Sequence, residues 1–380
     1  MKKWVLFVFL LSIQGLAFSQ NPVGPSPPLH FRKVMVAAEN FESVDVFDVN
    51  DDGVPDIVSG SFWYKGPDFG VKHFIGEQQR YGGEYYDDFS TIPMDVNEDG
   101  KMDFITGGWW GNTIRWRENP GKETSWKEHV IAVTGNVETT RAWDVDGDGV
   151  LEIVPNTPGK ALVVYQKKKR DTSFAAYKIA DKQEHGLGFG DVNGDGRGDF
   201  VLSNGWLEAP ARPFSDPWVF HKEFSFGSAS VPIIVADVNK DGLADLIVGQ
   251  GHDYGLDWYE QKMEKKTRKW IKHAIDPFNS QFHALMWIDL DNDGQEELIT
   301  GKRFRAHNEK DPGTFDPVGL YYYKWNGENF SKQVIAYGAQ GEGKGTGIYF
   351  AVRDLDGNGW KDVIVAGKDG LFVFYNDGRK

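Results

Sequence analysis

Short apolar runs bounded by glycine and acidic residues recur along the chain: "DIVSG", "DFITGG", "EIVPN", "DFVLSN", "DLIVGQ", "ELITGK" and "DVIVAG". Runs this short, rich in β-branched and aromatic residues, predict strands rather than helices. An apolar strand and an acidic phrase precede each run. A third, often aromatic, strand follows ("FWYKGP", "IRWREN", "GWLEAP", "LDWYEQ", "LFVFYN"), then a fourth such as "WKEHVIA" or "WIKHAID". In chain order these are strands A to D. The acidic phrase begins at Asp48, Asp95, Asp144, Asp191, Asp237, Asp289 and Asp354, at spacings of 47, 49, 47, 46, 52 and 65 residues. A period near 50 in an all-β chain predicts a seven-bladed β-propeller with one blade per repeat. The seventh repeat stops after its C strand at Tyr375, whereas "HFRKVMVA" (30–37) stands alone before the first and reads as a D strand. The N-terminal strand is therefore expected to complete the last blade, closing the ring and covering its edges.

The acidic phrases have the DxDxDG pattern, with side-chain oxygens at loop positions 1, 3, 5 and 9 and glycine at position 6. That spacing suits Ca²⁺, a hard cation taking six to eight oxygens. The expected ligands are Asp48, Asn50, Asp52 and Asp56; Asp95, Asn97, Asp99 and Asp103; Asp144, Asp146, Asp148 and Glu152; Asp191, Asn193, Asp195 and Asp199; Asp237, Asn239, Asp241 and Asp245; Asp289, Asp291, Asp293 and Glu297; and Asp354, Asp356, Asn358 and Asp362. Strands flank these loops and no glutamate stands at position 12, which sets them apart from EF-hands. Up to seven structural calcium ions are expected, one pinning each A–B turn.

The chain has 380 residues, no cysteine and a formal charge of −14. Such acidity argues against a nucleic-acid partner. The opening "MKKWVLFVFLLSIQGLAFSQ" has the basic start, apolar stretch and small residues of a secretory signal, expected to span 1–19 and to be too short for a membrane anchor. Without cysteine neither a lipoprotein nor disulfide stapling is expected. The mature protein, periplasmic or extracellular, would run through a Pro-rich stretch at 20–29 into a single propeller at 30–380. Removing Lys2 and Lys3 takes the charge to −16, and seven calcium ions would bring it to about −2.

Strand A runs into the acidic loop, so its start, together with the B–C and D–A loops, lies on the opposite face. Six residues before each loop stand Glu42, Phe89, Glu138, His185, Val231, His283 and Ile348. Strand A is innermost, so these should ring the axis, and two histidines with two glutamates are not what a packed core selects. Nearby B–C loops add His252, Asp253 and Tyr254, then Lys302, Arg305 and His307, and the pair Trp109 and Trp110. Imidazoles with a carboxylate suit Zn²⁺ or another divalent transition metal, and the tryptophans suit stacking on a sugar ring. The other histidines, His30, His73, His129, His221 and His273, are expected to be solvated D-strand residues.

With these loops the chain resembles the FG-GAP or VCBS repeat proteins, whose calcium-bound propeller also forms the head of integrin α subunits; the resemblance covers residues 30–380. The phrases "FHALMWIDLDNDG", "GKRFRAHNEKDPG" and "GHDYGLDWYEQ" are similar to the propeller part of fungal aldos-2-ulose dehydratase and its bacterial relatives; that enzyme's cupin-type domains lie outside the similarity. This narrower resemblance implies a carbon–oxygen lyase acting on keto-sugars. Elimination beside a carbonyl needs an electrophile and a base. A metal on His185 and His283, with His252 or His307 and Glu138, would polarise the carbonyl. Tyr254 or an unligated histidine would be the base, and Lys302 and Arg305 would hold oxyanions. Trp109, Trp110, Glu42 and Asp253 would contact the substrate. The alternatives are a lectin or adhesion propeller binding glycan or protein without chemistry, and a purely structural surface protein. The unrepeated character of the top-face residues favours one central site. Oligomeric state is not legible.

Overall fold

The computed structural model describes residues 27–82 and 84–379. The expected leader at 1–19 and most of the Pro-rich stretch at 20–29 lie outside these residues; strand begins at Leu29. Seven four-stranded antiparallel sheets follow one another around an axis. The first blade comprises Asp45–Phe47, Asp56–Ser59, Phe62–Lys65 and Val71–Phe74, ordered A-B-C-D. Blades two to six repeat that order, their A strands being Ile92–Met94, Thr139–Trp143, Leu187–Gly190, Ile234–Ala236 and Leu285–Ile288. In the seventh, Ala351–Arg353, Asp362–Val365 and Leu371–Arg379 are joined by the N-terminal strand Leu29–Ala37, which pairs antiparallel with Leu371–Arg379. Among the described residues no helix is long and apolar enough to cross a membrane.

Burial follows the strand order. B strands such as Asp103–Gly107, Asp245–Gly249 and Glu297–Gly301 are buried throughout, which explains their unbroken apolar runs. D strands alternate or are largely exposed. Innermost strands of adjacent blades approach in parallel at Gly188–Ile233 and, where first meets seventh, at Ser43–Tyr349. A Cβ on Gly188 would lie 2.3 Å from the Ile233 carbonyl oxygen, so only glycine permits that approach. Side-chain amides tie neighbouring blades: the Asn119 amide donates to the Val49 and Met102 carbonyls at 2.8 and 3.1 Å, and Gln261 and Asn376 repeat the contact on Val192 and Leu290.

The D-strand histidines are not merely solvated edges. His73, His129, His221 and His273 each stack on a C-strand tryptophan (Trp63, Trp116, Trp206, Trp258) with ring centres 4.2–4.5 Å apart. The last three also bond Glu118, Glu208 and Glu260. A flat imidazole covers the indole face while its nitrogen reaches the carboxylate, so the repeat has a packing cause.

Candidate metal centre and the acidic loops

All seven acidic loops close the same way. The position-6 glycine has φ between +80° and +86° and donates its N–H to the position-1 aspartate, as Gly53 does to Asp48 at 2.7 Å and Gly359 to Asp354 at 2.8 Å. The position-9 acid is fully buried in every blade and accepts the position-2 N–H, as Asp56 does from Val49 at 2.9 Å and Glu297 from Leu290 at 2.9 Å. Carboxylate oxygens of Asp144, Asp146 and Glu152, of Asp289, Asp291 and Glu297, and of Asp354, Asp356 and Asp362 converge within 4.8 Å of one another. In the third loop Asp144 Oδ1 is buried without a hydrogen-bond partner. Converging acids with an orphaned oxygen fit a hard divalent cation.

On the opposite face the sheet geometry gathers one cluster. Glu138, His185 and His283 stand just before the A strands of the third, fourth and sixth blades, and His252 joins them from the fifth blade's B–C loop. One ligand atom from each of the four lies within 4.8 Å of the others. His283 Nε2 is 2.8 Å and His185 Nε2 3.4 Å from Glu138 Oε1. His185 and His252 meet Nε2 to Nε2 at 3.0 Å. Gly251 leaves room for this: a Cβ there would sit 3.2 Å from both the His185 and the His283 rings.

Tautomers follow from the outer contacts. His185 Nδ1 donates to the Ala229 carbonyl at 2.8 Å, and His252 Nδ1 to Asp311 Oδ2 at 3.0 Å. Burial opposes ionisation of Asp311, but its bonds to His252 and His307 outweigh that and keep it a carboxylate. With both Nδ1 protons committed, the two rings meet at Nε2, where neutral imidazoles would oppose bare lone pairs. Only a proton or a cation relieves that opposition. Burial pushes His252 below its usual pKa, which disfavours a proton on that ring, and separately takes His283 down to about 3. Burial would raise Glu138, yet His185 and His283 hold it well below the ordinary carboxylate range. Three imidazoles and one carboxylate, with the Ala229 carbonyl and Asp311 accepting from two of the rings, form a donor set suited to a borderline divalent ion. His283 Nδ1 alone is buried without a partner.

The remaining expected residues fall into distinct places. His307 stacks on His252 at 4.1 Å and donates Nδ1 to Asp311 at 2.9 Å, forming an outer layer with its side chain half exposed. Glu42 is buried and clamped by Arg303 (2.9 Å) and Lys368 (3.2 Å). Burial opposes its ionisation, but those two cations pull it down to about 2. It is a structural counter-ion rather than a substrate contact. The Lys302 ammonium is buried in the carbonyls of Gly313 and Asp316, which makes it a strut for the B–C loop and unavailable to an oxyanion. The Tyr254 hydroxyl donates to Asp316, a contact that raises its pKa and argues against a base role. Asp253 caps the Tyr254 N–H at 2.7 Å. Trp110 is wedged among Tyr81, Tyr85 and Phe89, and Trp109 packs on the same cluster, so both are committed to packing. Arg305 pairs with Glu84 at 3.2 Å and Glu309 at 2.7 Å. It lines a cleft of about 220 Å³ with Glu84, Asn308, Glu309 and Lys368.

Sequence reasoning missed Asp311, Arg303 and Lys368. Arg303 lies between the two expected glutamates, its guanidinium 3.9 Å from Glu138 while it bonds Glu42. Two buried acids on one ring demanded a buried cation, and that demand was the available signal.

The FG-GAP-like repeat model matches residues 95–154 and 237–300, the second blade into the third and the fifth into the sixth. No curated protein matches the chain in sequence. A crystal structure of BBS1N in complex with ARL6DN, soaked with lead, is similar at 10% identity and a TM-score of 0.54, over 92% of this chain and 96% of that one. The Photorhabdus luminescens Tc holotoxin pore is matched at 15% identity and a TM-score of 0.37, over 82% of this chain; this chain spans 15% of that one's length. At such identities the likeness is one of fold alone. The repeat match and the seven four-stranded sheets show a seven-bladed β-propeller that carries FG-GAP-like repeats.

Proposed function

We propose that the protein is an exported, calcium-clipped propeller whose one central site is a metal-assisted lyase acting on a carbohydrate, in particular a keto-sugar. The observation that carries the reading is the convergence of His185, His252 and His283 with Glu138 at the axis, with two Nε2 atoms opposed at 3.0 Å. Bound there, Zn²⁺ or a similar ion would supply Lewis-acid polarisation of a carbonyl. His307 supplies the base: Asp311 fixes its Nδ1 proton, leaving Nε2 as a lone pair on a half-exposed side chain. Arg305 borders the adjacent cleft and would meet the sugar's oxygens. The basic, apolar leader supports export, and the orphaned Asp144 Oδ1 supports calcium in the loops.

The test is incubation of the metal-loaded protein with keto-sugars and uronates, reading the ultraviolet absorbance of unsaturated elimination products. Turnover lost in His252→Ala supports the reading. No turnover, with glycan binding retained in that variant, would make the protein a lectin.

A further inference from the structure

The seven acidic loops are alike in backbone but not in what faces them. The C-strand residue opposite position 9 is Lys65, Glu118, Gln166, Glu208, Glu260, Lys324 and Tyr375 in blade order. Glu118, Glu208 and Glu260 bring further negative charge. Lys65 reaches one loop acid, Asp52, at 3.0 Å. Lys324 differs from all of them. Its ammonium is 2.5 Å from Asp291, 2.5 Å from Asp293 and 3.1 Å from Glu297, so it touches positions 3, 5 and 9 at once. Arg379, from the seventh blade, adds a contact to Asp291 at 2.5 Å.

Calcium would take the same position-3, -5 and -9 carboxylate oxygens that the Lys324 ammonium contacts. An ion and the ammonium therefore compete for one place. We infer that the sixth loop carries the Lys324 ammonium in place of calcium, so that the loaded chain holds six loop ions instead of seven. The inference rests on the calcium reading of the other loops. Its physical basis is charge: Asp291 Oδ1, like Asp144 Oδ1, is buried without a partner, but Asp291 Oδ2 holds two cations, so a divalent ion would have to expel an amine already paired with three carboxylates. The blade is thus pinned at all calcium concentrations, whereas its neighbours tighten only when ions are present. It is also the blade that carries His283 and the long B–C loop with Arg303 and Asp311.

Native mass spectrometry of the calcium-loaded protein should count six calcium ions in wild type and seven in Lys324→Met. Melting in EDTA gives a reading independent of calcium. Lys324→Met should melt several degrees below wild type, whereas Lys65→Met should melt at the wild-type temperature. Seven ions in wild type, or no gain in Lys324→Met, overturns the inference. No ion in either protein overturns the calcium reading of the loops instead. Equal melting of Lys324→Met and Lys65→Met in EDTA then overturns the role of Lys324 by itself.

Discussion

His185 and His252 face each other Nε2 to Nε2 at 3.0 Å while each gives its Nδ1 proton to an outer acceptor, Ala229 in one case and Asp311 in the other. Two acceptors held at hydrogen-bond distance by the Ala229 carbonyl and Asp311 are organised for something positive between them. The fold supplies the rigidity: His185 precedes an A strand that is locked to the next blade through the Ile233 N–H and the Leu187 carbonyl at 2.8 Å.

Asp311 sets the His252 tautomer, so Asp311→Asn should weaken metal binding about 10–100-fold without changing the far-ultraviolet spectrum. Competition titration against a chromogenic chelator measures this. Unchanged affinity would show that the Asp311 contact is incidental.

Glu42 neutralises Arg303 and Lys368 inside the axial mouth. Glu42→Gln should destabilise the fold by about 3–5 kcal/mol, because two buried cations lose their carboxylate. Chemical denaturation of wild type and variant reads the difference. A cost below about 1 kcal/mol would mean that water reaches this pair.

Burial, only partly offset by Arg115, raises Asp88 to about 7; Asp45, also buried, rises to about 6. Both bind a proton more tightly folded than unfolded, where aspartate titrates near 4. The stability they contribute is complete below about pH 4 and is lost as pH rises through 6 to 7. Asp88→Asn should therefore flatten the decline in melting temperature between pH 5 and pH 8, with a gain on the order of 1 kcal/mol at pH 8. An identical slope in wild type and variant would contradict this.

The blade-to-blade amides make a separate prediction. Asn119→Ala strands the buried Val49 and the partly buried Met102 carbonyls and should cost about 1–3 kcal/mol, read as a lower denaturation midpoint with unchanged slope. An unshifted midpoint would mean that the first and second blades are held by packing alone.

Much of this was legible in the chain. Strand order and blade number follow from a repeat that each blade needs locally, since every A–B turn requires its glycine and its buried position-9 acid. Glu138, His185 and His283 were legible for the same reason: alignment to the repeat fixes their height on the axis. What was not legible depends on irregular segments. Asp311 sits in the B–C loop of the sixth blade, where the repeat gives no register, and Trp110 is claimed by Tyr81 and Tyr85 from a hairpin outside the blades. Lys302 and Arg303 are adjacent in sequence, yet one turns to backbone carbonyls and the other to Glu42, a choice set by side-chain surroundings that periodicity does not encode.

The central claim is a resident ion on His185, His252, His283 and Glu138, and elemental mass spectrometry of the purified protein tests it most directly. About one equivalent of a divalent transition metal beside calcium, lost from a folded His185→Ala/His252→Ala variant while calcium is kept, is the predicted result. Calcium alone in the wild type after exposure to zinc, and an unchanged composition in the variant, would contradict it.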